Sequence, residues 1–376
     1  MSLELLLGPQ LDAVVAAGGE AIGISAGGPF VPAIERRGVR HVALASSTRG
    51  WDVRADLRAA QELWRLLRRE RPTVLHTHNP KPGLYGRVLG RLAGVPIVVN
   101  TVHGLYATPD DPLPRRLAVY MLEAFASRWS HAELVQNAED VATIRRYRLA
   151  AGRKVRHLGN GVDLGRFRPQ LLSPAERRGL RAEWAAGDDT VVVGTVGRLV
   201  AEKGYPELFA AVAGMAPGVR LVVVGGADED KSDSLDPAVV AHARAGGVVF
   251  LGHRHDVDRL LGAFDVFALA SHREGQPRAA MEAAASGLPI VATDIRGCRQ
   301  VVDDGRTGHL VPVGDAAALA QALATLASSA AAREAMGRAA VAKARAEFDE
   351  RHVVARVMDC YDDVAARRGI TFTVDG

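Results

Sequence analysis

Short β-branched runs alternate along this chain with longer stretches in which apolar residues recur at helical spacing. In the first half, Ala21–Ser25, His41–Ala45, Val74–Thr77, Ile97–Thr101, Ala132–Val135 and Val155–Leu158 read as strands. Arg54–Arg69, Leu84–Ala93, Arg115–Arg128 and Ala138–Tyr147 read as the helices between them. The second half repeats the theme. Its strands are Val191–Thr195, Leu221–Val224, Val248–Leu251, Val266–Ala270 and Pro289–Thr293. Its helices are Tyr205–Gly214, Asp256–Ala263, Arg278–Ser286, Ala316–Ala327 and Ala331–Ala344.

Alternation of this kind predicts an α/β protein with parallel sheets covered on both faces. The segment from Pro169 to Ala175 has the polar and proline content of a link, giving domains 1–168 and 169–348, both doubly wound. Within 349–376, the helical stretch Glu350 to Arg368 follows a domain that should already be complete, so it is expected to cross back and brace the first. A length of 376 residues suits two cores. Ligands of such sheets sit beyond the carboxyl ends of the strands, which makes a cleft between the domains the expected site.

Composition narrows the class. With 48% hydrophobic and 24% charged residues the chain is globular rather than disordered. Cys298 and Cys360 lie far apart with no CxxC spacing, which argues against a disulfide framework or zinc site and points to a reducing cytosol. Met1 to Gly18 has no basic region ahead of its apolar residues and does not read as a secretory signal, and no apolar run is long enough to span a membrane.

The net charge of +4 is unevenly placed: residues 1–170 hold 24 Lys and Arg against 15 Asp and Glu, and the remainder 23 against 28. Two readings stay open, solvated arginine faces or a basic half that meets an anionic acceptor or membrane surface. Aromatics make up only 5% and do not interleave with the basic residues, which argues against nucleic acid as a partner.

Two segments concentrate candidate chemistry. Gly197-Arg198-Leu199-Val200-Ala201-Glu202-Lys203-Gly204 joins a buried strand to a helix. Gly197 allows close backbone approach there, and Arg198 and Lys203 can converge with helix N–H groups on a diphosphate. The plainer alternative is a surface loop with two solvated cations. The second segment runs from His272 to Glu282. Glu274 lies on a loop and Glu282 about two helical turns on, facing the same way. One carboxylate can accept a sugar's hydroxyls and the other a ribose's. Between them Gly275, Gln276, Pro277 and Arg278 offer a helix N-terminus as a phosphate seat. The plainer alternative is a capped helix with an exposed Glu282–arginine bridge.

In the first half, Val74-Leu75-His76-Thr77-His78-Asn79 and Val102-His103-Gly104 end strands in polar residues. His76 and His78 share a strand face, which suggests a metal, but no third ligand stands out. His103 is the better candidate, as a hydrogen-bonding group near a reacting sugar.

On Glu274-x7-Glu282, Gly197-Arg198 with Lys203-Gly204, Asn160-Gly161-Val162-Asp163, Gly287-Leu288-Pro289 and Val102-His103-Gly104, the chain resembles glycosyltransferase family 4, retaining enzymes of the GT-B fold. The resemblance covers nearly the whole chain and is similar to the bacterial subgroup that builds capsule, exopolysaccharide or lipid-linked glycans. It implies two Rossmann-like domains and transfer with retention from a nucleotide sugar, UDP-linked in preference to GDP-linked. The implied acceptor is a glycan, often polyprenyl-diphosphate-linked. Carried over, Arg198 and Lys203 bind the donor diphosphate, Glu274 the transferred sugar and Glu282 the ribose. His103 faces the sugar, and the Gly252-His253-Arg254 loop meets the nucleobase. No metal or other cofactor is implied, and the location is cytoplasmic, with room for peripheral contact with the inner face of the plasma membrane.

Two departures stand out. Gln300 occupies a position that is often glutamate in the family. Ser2-Leu3-Glu4-Leu5-Leu6-Leu7 reads as a helix where a first strand is expected, so the first sheet is expected to lack a strand or the start to be truncated. A UDP-sugar 2-epimerase of the same fold and a non-catalytic nucleotide-sugar-binding protein are the competing readings.

Overall fold

A computed structural model describes residues 2–46, 52–78, 80–109, 111–215, 218–227 and 234–372. Met1 and Asn79, named above, lie outside the described residues. The chain forms two compact units, one made of Met1–Gly159 with Arg351–Gly376 and the other of Asn160–Glu350.

The first unit carries β1 (Ile22–Ser25), β2 (Arg40–Ala43), β3 (Val74–His78), β4 (Ile97–Val102), β5 (Ala132–Val135) and β6 (Val155–His157). All its pairings are parallel: β1 with β2 as a separate ribbon, and β3-β4-β5-β6 as a four-stranded sheet. β4 is buried at every position, as a central strand covered on both faces must be. One cover is the helix Glu350–Arg368, whose Val353, Val357, Cys360 and Val364 pack on Ile97, Val99, Ala132 and Leu134. The expected bracing helix therefore belongs to the first unit.

The chain opens on the helices Ser2–Leu5 and Gly8–Ala16, and the first strand comes only at Ile22. These helices are packed and anchored. Leu3, Leu11, Val14 and Val15 lie against buried Ala21, Ile34 and Val39, and Arg37 makes a two-pronged bond to Glu4 at 2.8 and 2.9 Å.

The second unit carries β7 (Val191–Val196), β8 (Val219–Val224), β9 (Val249–Phe250), β10 (Val266–Leu269), β11 (Ile290–Thr293) and β12 (Gly308–Val311). Its sheet order is β12-β11-β10-β7-β8-β9, all parallel. Counted within the unit this is 3-2-1-4-5-6, the dinucleotide-fold order.

Three expectations need correction. The units divide at Gly159/Asn160 and not at 168/169. Val162 is fully buried in the second unit's core and its N–H bonds to Phe348 O at 2.8 Å, while a side chain at Gly161 would sit 2.4 Å from Glu350 Cα. The expected link at Pro169 to Ala175 runs into a helix, Pro174–Glu183. Ser173 and Glu176 cap it reciprocally, a pattern legible in Ser-Pro-Ala-Glu but overshadowed by the prolines. Gly308–Val311, absent from the strands read in the sequence, is the edge strand β12.

Candidate functional site

β7 and β10 are neighbours, yet the chain leaves them toward opposite flanks of the sheet. Their loops therefore open side by side at the point where the strand order reverses, the place such sheets bind ligands. The β7 loop holds Gly197, Arg198 and Lys203, and the β10 loop holds Ser271 to Pro277. Several bonds tie the two loops together. His272 N–H donates to Glu202 O at 2.8 Å, and Lys203 Nζ donates to Glu274 Oε1 at 2.6 Å. Ser271 Oγ donates to the same carboxylate oxygen at 2.8 Å. With side-chain exposures of 23% and 14%, the Lys203–Glu274 pair is half-buried, so it is screened far less than a surface pair.

Glycines set the spacing. Lys203 ends a short 3₁₀ turn, Ala201–Lys203, which Gly204 closes with φ 64°. A Cβ at Gly204 would lie 2.0 Å from Ala270 O. Gly197, expected to allow close approach, would place a Cβ 3.3 Å from Tyr205 Oη, which is tight without being prohibitive. The obligatory glycine is Gly225 after β8, whose Cβ would lie 1.9 Å from Gly197 O. The Gly225-Gly226 pair following a β-branched run was the available signal. Tyr205 Oη donates to Gly197 O at 2.9 Å, and burial pushes that hydroxyl's pKa up, so it stays a donor.

Glu282 lies on the helix Arg278–Ala285, which starts at Pro277 without a side-chain cap. Arg278 Nε donates to Glu282 Oε1 at 3.0 Å. The arginine bridge considered from sequence is thus present, but it is largely buried, with side-chain exposures of 28% and 14%. Burial pushes the Glu282 carboxyl up, opposed by Arg278. Beside this helix start, Gln276 Oε1 is buried and accepts no hydrogen bond, an orphan a ligand donor would satisfy. Gly297, after β11, buttresses the loop, since a Cβ there would stand 2.7 Å from Glu274 O.

The Gly252-His253-Arg254 loop joins the same edge through Gly225 N–H to Gly252 O at 2.8 Å. Arg254 is engaged by Asp256 through two bonds of 2.8 and 2.6 Å, and the His253 ring lies edge-on to His255 with centroids 4.8 Å apart.

In the first unit, residues at the carboxyl ends of β3, β4 and β5 form a chain of rings. His78 Nδ1 lies 3.1 Å from His103 Nε2, and His103 Nδ1 lies 3.1 Å from Gln136 Oε1. The amide oxygen only accepts, so His103 is protonated at Nδ1 and receives the Nδ1–H of His78 at Nε2. Both ring nitrogens of His103 are therefore engaged within this unit. His76 stacks 4.2 Å from His78 and is held by Tyr361 Oη at 2.6 Å and Thr101 Oγ1 at 2.7 Å. The face shared by His76 and His78 is real, yet among the described residues no group of three His, Cys, Asp or Glu is placed to hold a metal ion.

Burial drives these rings toward neutrality: His76 falls to about 3, and His78 and His103 lie below the usual histidine range. Because the folded values lie below the unfolded ones, the unfolded chain takes up protons first. The stabilisation is complete above about pH 6.5 and is lost as pH falls toward the folded values, by about 1.4 kcal/mol per pH unit for each ring. Urea midpoints of the wild type are expected to drop steeply from pH 6.5 to 4.5, and those of His76→Asn less steeply. Parallel pH profiles for the two would refute the assignment.

Comparison with known proteins agrees with this geometry. Residues 11–166 match Glycosyltransferase Family 4, and residues 190–329 match Glycosyl transferases group 1. The chain is 32% identical over 270 residues to the UDP-Gal:alpha-D-GlcNAc-diphosphoundecaprenol alpha-1,3-galactosyltransferase of Escherichia coli, an alignment covering 69% of this chain and 67% of that protein. It is 27% identical over 292 residues to a capsular polysaccharide biosynthesis glycosyltransferase of Staphylococcus aureus, covering 75% and 74%. Among solved structures, Anabaena HepE in complex with UDP and glucose superposes with a TM-score of 0.78 at 19% identity, covering 95% of each chain. Together with the nucleotide-fold sheet and its paired switch-point loops, these matches place the chain in glycosyltransferase family 4, as a glycosyltransferase of GT-B fold.

Proposed function

We propose that this enzyme transfers a sugar, with retention, from a UDP-sugar to a glycan carried on a polyprenyl diphosphate in cell-surface polysaccharide synthesis. The observation that carries the donor half is the Lys203–Glu274 contact, which joins the two switch-point loops beside a helix start that has no side-chain cap. Arg198 and Lys203 meet the diphosphate, and the N–H groups of Gly275, Gln276 and Arg278 add the positive end of the helix dipole. Glu274 holds the transferred sugar, Glu282 the ribose, and the His253–Arg254 loop the base. As the bond from the anomeric carbon to the diphosphate oxygen breaks, negative charge grows on the leaving group, and fixed cations stabilise it without reorganising. The acceptor hydroxyl forms the new bond on the same face and gives up its proton to the departing diphosphate oxygen. The reading assigns no metal, because Arg198 and Lys203 supply the cationic charge.

Support for the donor and acceptor classes comes from the UDP-galactose and diphosphoundecaprenol named for the E. coli relative and the UDP bound to HepE. Two buried free thiols, Cys298 and Cys360, suit a cytoplasmic site of action. The test is a panel of UDP- and GDP-sugars scored by nucleotide release, with and without polyprenyl-diphosphate glycans. Acceptor-dependent release of UDP with an α-linked product from an α-linked donor is expected. Release of GDP alone, or an inverted product, would overturn the donor or the stereochemical assignment.

A further inference from the structure

Three histidine rings gather at the carboxyl ends of β3 and β4, and five of their six nitrogens are held within the first unit. Both of His76 are engaged, at 2.6 Å from Tyr361 Oη and 2.7 Å from Thr101 Oγ1. Both of His103 are engaged, toward Gln136 Oε1 and His78 Nδ1, each at 3.1 Å. His78 commits Nδ1 to His103, and among the described residues nothing bonds to its Nε2. The His78–His103 pair is only part-buried, so this sixth nitrogen is the one through which the cluster can meet a ligand.

Hydrogen-bond polarity decides what kind of ligand group it meets. The Gln136 amide oxygen only accepts, which puts a proton on His103 Nδ1 and a lone pair on His103 Nε2. His78 then donates from Nδ1, and a neutral imidazole with its proton there carries a lone pair on Nε2. Both donors point toward Gln136, and bonds aligned in this way polarise one another, which strengthens the lone pair at the far end as an acceptor. The stack of His76 on His78 at 4.2 Å, itself pinned by Tyr361 and Thr101, holds the terminal ring in place.

We infer that His78 Nε2 accepts a hydrogen bond from a sugar hydroxyl, and that Gln136 is the positioning residue that fixes this polarity two rings away. His103, expected to face the sugar, is the link between them. The inference rests on the proposed sugar transfer, and the hydroxyl belongs either to the donor sugar or to the acceptor glycan.

The first test needs no substrate. With isotope-labelled histidine at neutral pH, proton–nitrogen correlation NMR should show the Nδ1–H tautomer at both His78 and His103, and Gln136→Leu should abolish that preference. An Nε2–H tautomer at His78 in the wild type would overturn the inference. This result is independent of the transfer reading, which fails separately if no nucleotide sugar is turned over. The second test reads the ligand. His78→Asn keeps an N–H donor toward His103 and removes the Nε2 acceptor, so it should retain the unfolding midpoint and the affinity for UDP. It should weaken one substrate roughly three- to ten-fold, the worth of one neutral hydrogen bond. A higher KM for the UDP-sugar assigns the hydroxyl to the donor, and a higher KM for the polyprenyl-diphosphate glycan assigns it to the acceptor. Unchanged KM for both would overturn the inference.

The third reads Gln136 through pH. The titratable and charged groups around the rings are His76, Tyr361 behind it, and His157, which bonds the Gln136 carbonyl beside Arg356. Gln136→Glu leaves all of these in place and still accepts from His103, but its charge favours the protonated rings. The acid limb of kcat/KM should therefore move up by roughly one pH unit or more. A merely structural role would not move it, and an unmoved limb would remove Gln136 from the assignment.

Discussion

Lys203→Ala is expected to lower kcat by roughly 10²–10³-fold while the protein stays folded, the loss found when one preorganised charge partner of a transition state is removed. Two consequences of the deletion act together. The leaving diphosphate loses a cation held half-buried, where charge is weakly screened. Glu274 also loses its 2.6 Å partner while the Ser271 hydroxyl remains, so the carboxylate assigned to the sugar is held less firmly. Lys203→Arg retains the charge but not the compact ammonium, and should recover only part of the rate. Steady-state turnover of the UDP-sugar identified by the donor panel measures this. An unchanged kcat in Lys203→Ala would remove Lys203 from the site.

Gly204→Ala should damage both fold and activity. Gly204 sits at φ 64°, and a methyl there would meet Ala270 O at 2.0 Å, far inside contact distance. The left-handed backbone costs about 1–2 kcal/mol for a residue with a Cβ. Overpacking of a tight interior adds roughly 1–3 kcal/mol. The obstructing atom is backbone at the end of β10, so relief requires the two switch-point loops to separate. Separation pulls Lys203 from Glu274. The expected result is roughly 2–5 kcal/mol of lost stability by urea denaturation, with UDP affinity falling along with it. Wild-type stability would show that the loops part without cost, contrary to the contact described.

The two switch-point loops were legible because their information is local. A β-branched run followed by glycine and cations, or by Glu-Gly-Gln-Pro-Arg opening a helix, states in consecutive residues that charge and N–H groups gather at a strand's carboxyl end. The long bracing helix was legible for a similar reason, since its apolar positions recur over 19 residues after the second sheet is complete. Pairings between distant residues were not. Lys203 and Glu274 are 71 positions apart, and nothing in either loop names the other. Arg278 was placed at the phosphate seat, while the fold also turns it back onto Glu282. His103 was expected to offer a ring nitrogen to a sugar, but His78 and Gln136, on neighbouring strands, engage both. The boundary at Gly159 depends on Phe348 and Glu350, nearly two hundred residues further on.

Alternation of strand and helix, with the chemistry of each strand-end loop, determined by itself that this chain is a two-unit α/β protein whose second unit gathers cations and a helix start at one strand-end edge. Both follow from residues adjacent in sequence, where propensity and turn chemistry act over a few positions. Tertiary structure alone decided the strand order that sets the β7 and β10 loops together, and the glycines at 204, 225 and 297 that keep them in contact. Those depend on contacts closed across tens to hundreds of residues, and the pattern along the chain carries no record of which segments meet.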